Sequence, residues 1–324
     1  MLPQAINLAF SGFSPTILER NVLAIPSLMG LESSLAVEAT ARRIQVNNVE
    51  LHVVEAGPED GPLVILLHGF PDFWWGWRHQ IKPLVEAGYR VVVPDQRGYN
   101  LSSKPKGVSS YHIDTLAADV AALADFYNAA TFRLAGHDWG GIVAWWTGVR
   151  YPKRVERLVI LNAPHPDVYP RLMLRRWRQM LKSFYVYFFQ LPFISEALTR
   201  AKRFAFLYWA FQQRALTPAA PAGTFSEEER EIYLEVWSRQ GELTATLNYY
   251  RSLARRPWQR PARLSPPTLV LWGKIDVFLE LEVATAGLKL CDRGEKCFLE
   301  AGHWVLLEKA EEVSVELVRF FSSV

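Results

Sequence analysis

Short apolar runs recur along the chain, with longer stretches of helical spacing between them. Residues 43–46 and 51–54 predict an opening hairpin. Further strand-like runs, mostly continuous and apolar as in strands buried on both faces, occupy residues 63–67, 90–93, 132–135, 158–161, 268–272 and 296–299. Because helical segments separate these runs, the pattern predicts an α/β domain with a mostly parallel central sheet flanked by helices.

The pattern changes between residues 164 and 261. This segment is rich in aromatic residues and arginines, has helical spacing and lacks convincing strand runs. Prolines stand near both ends, where regular structure has to stop, at Pro164, Pro166, Pro170, Pro257, Pro261, Pro266 and Pro267. We therefore predict a helical cap at residues 164–261, inserted between core segments 41–163 and 262–324, with residues 1–40 as an N-terminal extension.

Composition narrows the classes of protein that fit. The 324 residues are 50% hydrophobic, which allows a sizeable core, and the net charge is only +3, from 36 basic and 33 acidic residues. The charges are interleaved, so no nucleic-acid partner is predicted. Cys291 and Cys297 are the only cysteines, which fits a cytoplasmic protein without a disulfide framework. We predict no membrane span, signal peptide, metal or cofactor.

A nucleophile elbow is the most informative motif. Residues 136–141 read GHDWGG, between the run 132–135 and a predicted helix that opens at Ile142. A nucleophile with one small residue two positions before it and another two positions after it is typical of the α/β-hydrolase fold, where the nucleophile is usually serine. Here it is Asp138. A carboxylate is already an anion near neutral pH and displaces a leaving group at saturated carbon, which predicts ring opening or dehalogenation.

The other catalytic groups follow in the order this fold requires. Residues 68–71 read HGFP directly after a strand, where the fold places half of its oxyanion hole, so the backbone N–H groups of Phe70 and Trp139 are the predicted donors. Asp276 and His303 each follow a predicted strand and supply the acid and the histidine of a triad with Asp138. Glu280 and Glu282 are alternative acids.

These motifs resemble those of the epoxide hydrolases, relatives of the haloalkane dehalogenases in the α/β-hydrolase superfamily. The resemblance covers most of residues 42–322 and rests on HGFP, on GHDWGG, on Asp276, on DQRGY at 95–99 and on GHW at 302–304. In the cap, YVYFFQLP at 185–192 and LNYYR at 247–251 are similar to the segments that carry the family's two ring-opening tyrosines. The register implies Tyr185 and Tyr250, with Tyr187 and Tyr249 as the competing assignments.

The predicted function is hydrolysis of an apolar epoxide to a vicinal diol through an ester on Asp138. A phenol with a pKa near ~10 is a suitable proton donor for the strongly basic alkoxide that ring opening produces. The residues expected to bind substrate are Trp139, Phe70, Phe189 and Trp304. The expected partners are the epoxide and water, and the protein is expected to be a monomer or a homodimer. The alternatives are a haloalkane dehalogenase, which usually carries asparagine at the position of Phe70, and a catalytically silent ligand-binding protein of the same fold.

Overall fold

An eight-stranded sheet forms the centre of the computed structural model, which describes residues 35–212, 225–257 and 260–323. The strands are β1 Ala39–Val46, β2 Val49–Ala56, β3 Leu63–Leu67, β4 Arg90–Pro94, β5 Phe132–His137, β6 Val155–Leu161, β7 Thr268–Gly273 and β8 Gly294–Leu299. Their spatial order is β1-β2-β4-β3-β5-β6-β7-β8. Each predicted strand run lies within one of them, so the strand predictions are confirmed.

The sheet is antiparallel only at one side. β1 pairs with β2, and β2 with β4, in antiparallel register, whereas the pairs from β4 to β8 are parallel. β3 and β7 lie inside the sheet and are buried along their whole length. Burial on both faces explains why these strands are continuous apolar runs in the sequence rather than alternating ones.

Helices flank the sheet and fill the predicted cap. In the described residues they are α1 Arg78–Glu86, α2 Ile113–Phe126, α3 Trp139–Arg150, α4 Tyr169–Arg175, α5 Trp177–Lys182, α6 Phe184–Phe188, α7 Ile194–Gln212, α8 Glu227–Ser238, α9 Glu242–Ala254, α10 Leu281–Leu288, α11 Val305–Glu308 and α12 Ala310–Ser322. α1 packs on α12, and α2 on α3. α4 to α9 occupy the span between β6 and β7, and the described part of that span contains no strand.

The predicted limits of the cap, at residues 164 and 261, stay a prediction. The N-terminal extension also stays a prediction, and its residues 1–34 lie outside the described residues. β1 begins at Ala39, inside the predicted extension of residues 1–40. Within the described ranges, none of the helices has the length and apolar character needed to cross a bilayer. The cytoplasmic location and the monomeric or homodimeric state stay predictions.

Buried polar contacts fix α9 of the cap on the core. Glu242, the first residue of α9, accepts a hydrogen bond of 2.9 Å from the backbone N–H of Asn100 and lies 3.2 Å from Lys104 Nζ. The hydroxyl of Tyr249 donates to the carbonyl of Arg97 at 2.6 Å. These contacts hold both ends of the helix segment that leads to Tyr250, so the cap tyrosine and the core are positioned relative to each other.

Candidate active site

The backbone at Asp138 takes the strained conformation of a nucleophile elbow. Asp138 lies between the end of β5 and the start of α3, with φ 50° and ψ −121°. A side chain at Gly136 would place Cβ 2.2 Å from the carbonyl of Gly140, and one at Gly140 would place it 2.2 Å from the carbonyl of Leu67. The flanking glycines are therefore required by close backbone approach, which is why the motif is visible in the sequence.

The loop after β3 holds one oxygen of the nucleophile. The backbone N–H of Phe70 donates to Oδ1 of Asp138 at 2.7 Å. A Cβ at Gly69 would lie 2.4 Å from the same oxygen, so only glycine leaves room for the carboxylate there. The amide of Trp139 belongs to the first turn of α3, where backbone N–H groups have no partner within the helix. The two predicted oxyanion donors thus border one carboxylate.

Asp276 and His303 meet as the predicted acid and histidine. Nδ1 of His303 lies 2.8 Å from Oδ2 of Asp276, and the backbone N–H groups of Phe278 and Leu279 donate to Oδ1 at 2.7 and 3.0 Å. Burial alone would raise the pKa of Asp276, but His303 and the hydrogen-bond donors lower it below its ordinary value. Asp276 is therefore an anion that orients the imidazole.

The alternative acids are engaged elsewhere. Oε2 of Glu280 and Oε1 of Glu282 each accept a hydrogen bond of 2.7 Å from the guanidinium of Arg176. Among the three acids considered, it is Asp276 that contacts His303.

His303 lies between two carboxylates. Its Nε2 is 3.6 Å from Oδ2 of Asp138, on the opposite side of the ring from Asp276. Burial opposes charging of the imidazole, but Asp276 and Asp138 outweigh it and raise the pKa of His303 to about 10. Behind it, Nε2 of His137 lies 2.9 Å from the backbone carbonyl of His303, and burial lowers the pKa of His137 to about 4. In the resting state the site holds one imidazolium and one neutral imidazole.

Two tyrosines of the cap line the same cavity as Asp138. Tyr185 and Tyr250 have ring centroids 6.0 Å apart, and the ring of Tyr250 contacts that of Trp139 at 4.9 Å. Burial raises the pKa of both phenols well above the ordinary value, and the negative charge of Asp138 adds to this. Both hydroxyls are therefore protonated and able to donate.

The competing tyrosines occupy other positions. Tyr249 is fully buried and its hydroxyl is bonded to the core carbonyl of Arg97. Tyr187 is 48% exposed and borders the cavity from its outer side. Tyr185 and Tyr250 thus line the cavity together with Asp138, whereas Tyr249 is not among the lining residues in the described structure.

The cavity between cap and core has a volume of about 220 Å³. Its lining is mostly apolar and includes Asp138, Trp139, Ile142, Tyr169, Met173, Leu174, Tyr185, Val186, Tyr250, Leu253 and Leu279. Of the four predicted substrate-binding residues, Trp139 lies in this wall, whereas Phe70, Phe189 and Trp304 are not among its lining residues in the described structure.

Those three aromatic side chains support the site from behind. Phe189 is fully buried, with ring centroids 4.9 Å from Tyr250 and 5.9 Å from Tyr185. Phe70 contacts Tyr250 at 5.6 Å, and Trp304 stacks on Phe211 at 4.0 Å. An aromatic residue near a motif packs as often against other rings as against a ligand. The sequence alone does not distinguish an aromatic residue that packs on other rings from one that faces the cavity.

Asn162 is a site residue that the sequence reasoning missed. It follows β6, has a positive φ of 40° and is fully buried. Its Nδ2 donates to Oδ2 of Asp276 at 2.7 Å, and its Oδ1 accepts from the backbone N–H of Gly273 at 2.9 Å. Asn162 therefore ties Asp276, the predicted acid of the triad, to the end of β7. The sequence signal that could have indicated Asn162 was its position directly after a strand, at the carboxyl edge of the sheet.

A buried polar chain under the cap was also missed. The hydroxyl of Tyr169, which lines the cavity, lies 2.5 Å from Oγ of Ser183, and Nε2 of Gln179 donates to Ser183 at 2.9 Å. Gln179 also donates to the carbonyl of Phe278 at 2.9 Å, next to the Asp276 loop. The chain connects the cap helices α4 and α5 to the loop of the triad.

Comparison with known proteins identifies the family of the chain. Residues 62–310 match the family described as alpha/beta hydrolase fold. The chain is 41% identical to AB hydrolase superfamily protein YfhM of Bacillus subtilis, over 86% of this chain and 97% of that protein. It is 37% identical to epoxide hydrolase 4 of Mus musculus, over 75% of this chain and 67% of that protein.

A solved structure gives the same result for the fold. The epoxide hydrolase of Bacillus megaterium in complex with an inhibitor superimposes with a TM-score of 0.78 at 30% identity, covering 87% of this chain and all 100% of that chain. The predicted fold class is confirmed, and the chain is an enzyme of the hydrolase type. The chain therefore belongs to the α/β-hydrolase superfamily and, within it, to the group that contains the epoxide hydrolases.

Proposed function

We propose that the protein hydrolyses an apolar epoxide to a vicinal diol through a covalent ester on Asp138. The observation that carries the proposal is the convergence on one cavity of a carboxylate nucleophile, with its histidine at 3.6 Å, and the phenols of Tyr185 and Tyr250. The carboxylate supplies the attack, and the phenols supply the proton that the ring oxygen needs.

The first half-reaction opens the ring. Oδ1 of Asp138 stays bonded to the Phe70 N–H, which leaves Oδ2 to attack an epoxide carbon from behind. The bond from Oδ2 to carbon forms while the bond from carbon to the ring oxygen breaks, and the ring oxygen takes a proton from Tyr185 or Tyr250. The phenolate is then reprotonated, through water, by the proton that His303 gives up. The product is a glycol monoester of Asp138, with Oδ1 as its carbonyl oxygen.

Ester formation also changes the charge next to His303. The Asp138 carboxylate is one of the two groups that raise the pKa of His303, and an ester carries no negative charge. The pKa of His303 therefore falls once the ester has formed, and its proton passes through water to the phenolate, which leaves a neutral imidazole and a neutral phenol. The base is thus made available at the step that needs it.

The second half-reaction releases the diol. Neutral His303, oriented by Asp276, takes a proton from a water molecule, and the hydroxide oxygen bonds to the ester carbon of Asp138. The resulting oxyanion is Oδ1, which the N–H groups of Phe70 and Trp139 stabilise. The bond from that carbon to Oδ2 then breaks, and the leaving alkoxide takes the proton from His303. Oδ2 leaves in the diol and the oxygen of water stays in the carboxyl group of Asp138. The remaining proton of that group passes to His303, which restores the carboxylate and the imidazolium.

The oxygen balance provides the test. A single turnover in ¹⁸O-water is expected to label Asp138 and to release an unlabelled first diol, as read by mass spectrometry of the diol and of the peptide. His303→Gln is expected to accumulate the ester and to show at most one burst, whereas His112→Gln, in a half-exposed position on the core, continues to turn over. Label in the first diol would refute the covalent route.

The lining of the cavity supports apolar epoxides as the substrate class. Aliphatic and aromatic side chains, together with prolines, form most of its wall around the reacting groups. Styrene oxide, cyclohexene oxide and long-chain epoxides are suitable probes, scored for diol, with haloalkanes scored for halide. Halide release without diol formation would identify a dehalogenase instead, and binding without turnover would identify a silent binding protein.

A further inference from the structure

The cap helices nearest the cavity mouth expose their apolar side. Along α4, α5 and α6, large apolar side chains recur every three or four residues, and their exposed fractions are 48–68%. We call this set the outer row: Leu174, Trp177, Leu181, Phe184 and Tyr187. Ten of the fourteen large apolar residues that are exposed in the described structure lie between residues 174 and 198. Such a concentration marks an interaction surface.

The inward side of the same helices is already occupied by contacts with the core and the cavity. Gln179 and Ser183 are fully buried, and they bond to each other and to the loop that carries Asp276. In a surface helix of a water-soluble protein the apolar side faces the core and the polar side faces water. The outer row is an addition to that pattern, because other residues of these helices, among them Leu172 and Val186, already pack on the core. Packing of the cap on the core therefore does not explain the outer row.

The charge of this segment is strongly positive. Residues 168–203 contain a single acid, Glu196, whose carboxylate is paired with Arg251 at 2.7 Å. Against it stand Arg171, Arg175, Arg176, Arg178, Lys182, Arg200, Lys202 and Arg203. Arg176 pairs with glutamates of the core, whereas Arg175 and Arg178 are exposed beside the outer row and form no ion pair within the described ranges. Apolar rings and cations on one surface suit the interface of an anionic bilayer.

The outer row continues into the wall of the cavity. Leu174, 68% exposed, and Tyr187, 48% exposed, both also line the cavity over Asp138. The apolar surface therefore leads without interruption from the outside of the cap to the site.

We propose that the outer row docks the protein on an anionic lipid surface and that apolar substrate passes from the lipid into the cavity. A second copy of the chain is a poorer occupant, because in a two-fold dimer the same arginines would face each other. Docking is independent of the chemistry at Asp138, whereas entry of an epoxide from the lipid rests on the proposed function.

Flotation of the full chain with vesicles tests the docking. Vesicles of phosphatidylcholine with phosphatidylserine are expected to bind the protein, and the paired change Trp177→Ser with Leu181→Ser is expected to weaken binding about tenfold or more. The matched control is Phe126→Ser with Val315→Ser, which removes two apolar residues of similar exposure, 48% and 60%, from core helices and is expected to leave binding unchanged.

A charge variant tests the choice of lipid. Arg175→Gln with Arg178→Gln is expected to weaken binding to the anionic vesicles by about fivefold per arginine and to have little effect on vesicles of phosphatidylcholine alone. Lys153→Gln with Lys289→Gln removes two exposed cations of the core and is the control. Equal losses in both pairs would show only a general charge effect and would overturn the proposal.

Kinetics separate this proposal from the proposed function. None of the four substituted cap residues lines the cavity, so all variants are expected to hydrolyse styrene oxide in buffer at the wild-type rate. With a long-chain epoxide dissolved in anionic vesicles, the Trp177 and Leu181 variant is expected to be about tenfold slower. Hydrolysis of styrene oxide without vesicle binding would refute the docking alone, and failure to hydrolyse any epoxide would refute the proposed function alone. A wild-type dimer that the outer-row variant converts to a monomer, with no vesicle binding, would assign the surface to a second copy.

Discussion

In the core, the functional side chains themselves are fixed by short hydrogen bonds. In the cap, hydrogen bonds hold helix α9 on the core, and the rings of the two tyrosines are fixed by contacts with other rings. Asp138 accepts from the Phe70 N–H at 2.7 Å, and His303 meets Asp276 at 2.8 Å. Tyr185 and Tyr250 instead contact Phe189 edge to face, at centroid distances of 5.9 and 4.9 Å. The two regions of one site are therefore held by different forces.

The difference predicts different tolerance to change. A hydrogen bond to a buried carboxylate depends on direction, and loss of one partner leaves the other unsatisfied. Ring contacts are individually weak and less dependent on angle, so neighbouring rings are able to share the loss. We infer that the core sets the chemistry within narrow limits, and that the cap permits substrates of different shape while still presenting two phenols.

The largest expected effect is the loss of the core nucleophile. We expect Asp138→Ala to lower kcat by ~10⁴-fold or more, because Asp138 is the carboxylate that lies beside both His303 and the two phenols. Steady-state diol formation from styrene oxide measures this, with Asp60→Ala, a change of an exposed acid, as the control. Substantial turnover by the variant would mean that water attacks the epoxide directly.

The cap is expected to show a smaller and shared effect. Tyr185→Phe and Tyr250→Phe each remove one donor to the ring oxygen, and each is expected to slow ring opening by ~10²-fold, with a larger loss in the double variant. Single-turnover kinetics followed by tryptophan fluorescence is a suitable measurement, because Trp139 lies beside the reacting carboxylate. Tyr187→Phe is the matched control, expected within about twofold of wild type. If it matched the loss in Tyr185→Phe, the assignment of the first tyrosine would be wrong.

The same contrast explains what the sequence predicted and what it did not. Core strands were predictable because burial on both faces leaves a continuous apolar run, and the elbow because close backbone approach requires glycine. In the cap, Tyr185 and Tyr187 have the same chemistry, and only tertiary packing places one over the nucleophile. The same limit applies to Phe189 and Trp304, because the sequence of an aromatic cluster does not indicate which of its rings faces the cavity.

Asn162 was missed for a different reason. The side-chain amide of Asn162 joins Asp276 to Gly273 by two hydrogen bonds. Such a contact depends on no repeat and no fixed spacing in the sequence, so no motif marks the residue. Polar residues that position a catalytic group through another side chain are visible only once the strands are assembled.

Asn162 provides a test of directional support within the core. We expect Asn162→Gly, which keeps the positive φ accessible, to slow hydrolysis of the ester about tenfold and to leave ester formation nearly unchanged, because its contact is with Asp276 and not with Asp138. The readout is a normal burst followed by a slower steady state. Asn128→Gly is the control, since Asn128 also has a positive φ, 54°, but lies after α2, away from the site. Equal slowing of both phases would indicate a general loss of structure.

The smallest expected effect is a change in the pKa of His303 rather than in a reaction rate. Because Asp276 is the main group that raises the pKa of His303 to about 10, Asp276→Asn is expected to lower that pKa towards its ordinary value of 6.5. Asp138→Asn is expected to lower it less, since the distance to His303 is 3.6 Å rather than 2.8 Å. Tyr185→Phe is expected to leave it unchanged, because a protonated phenol carries no charge. NMR titration of the His303 ring measures all three.

The sign of the effect on stability follows from the same shift. A histidine whose pKa is raised in the folded state stabilises that state fully below the ordinary value of 6.5, and this contribution is lost as the pH rises through about 10. The free energy of unfolding of wild type minus that of His303→Gln is therefore expected to fall between about pH 6.5 and pH 10. The buried tyrosines titrate in both proteins, so their contribution cancels in the difference. A difference that stayed level across this window would mean that His303 is neutral in the resting site, and the core would then lack the charge pairing that distinguishes it from the cap.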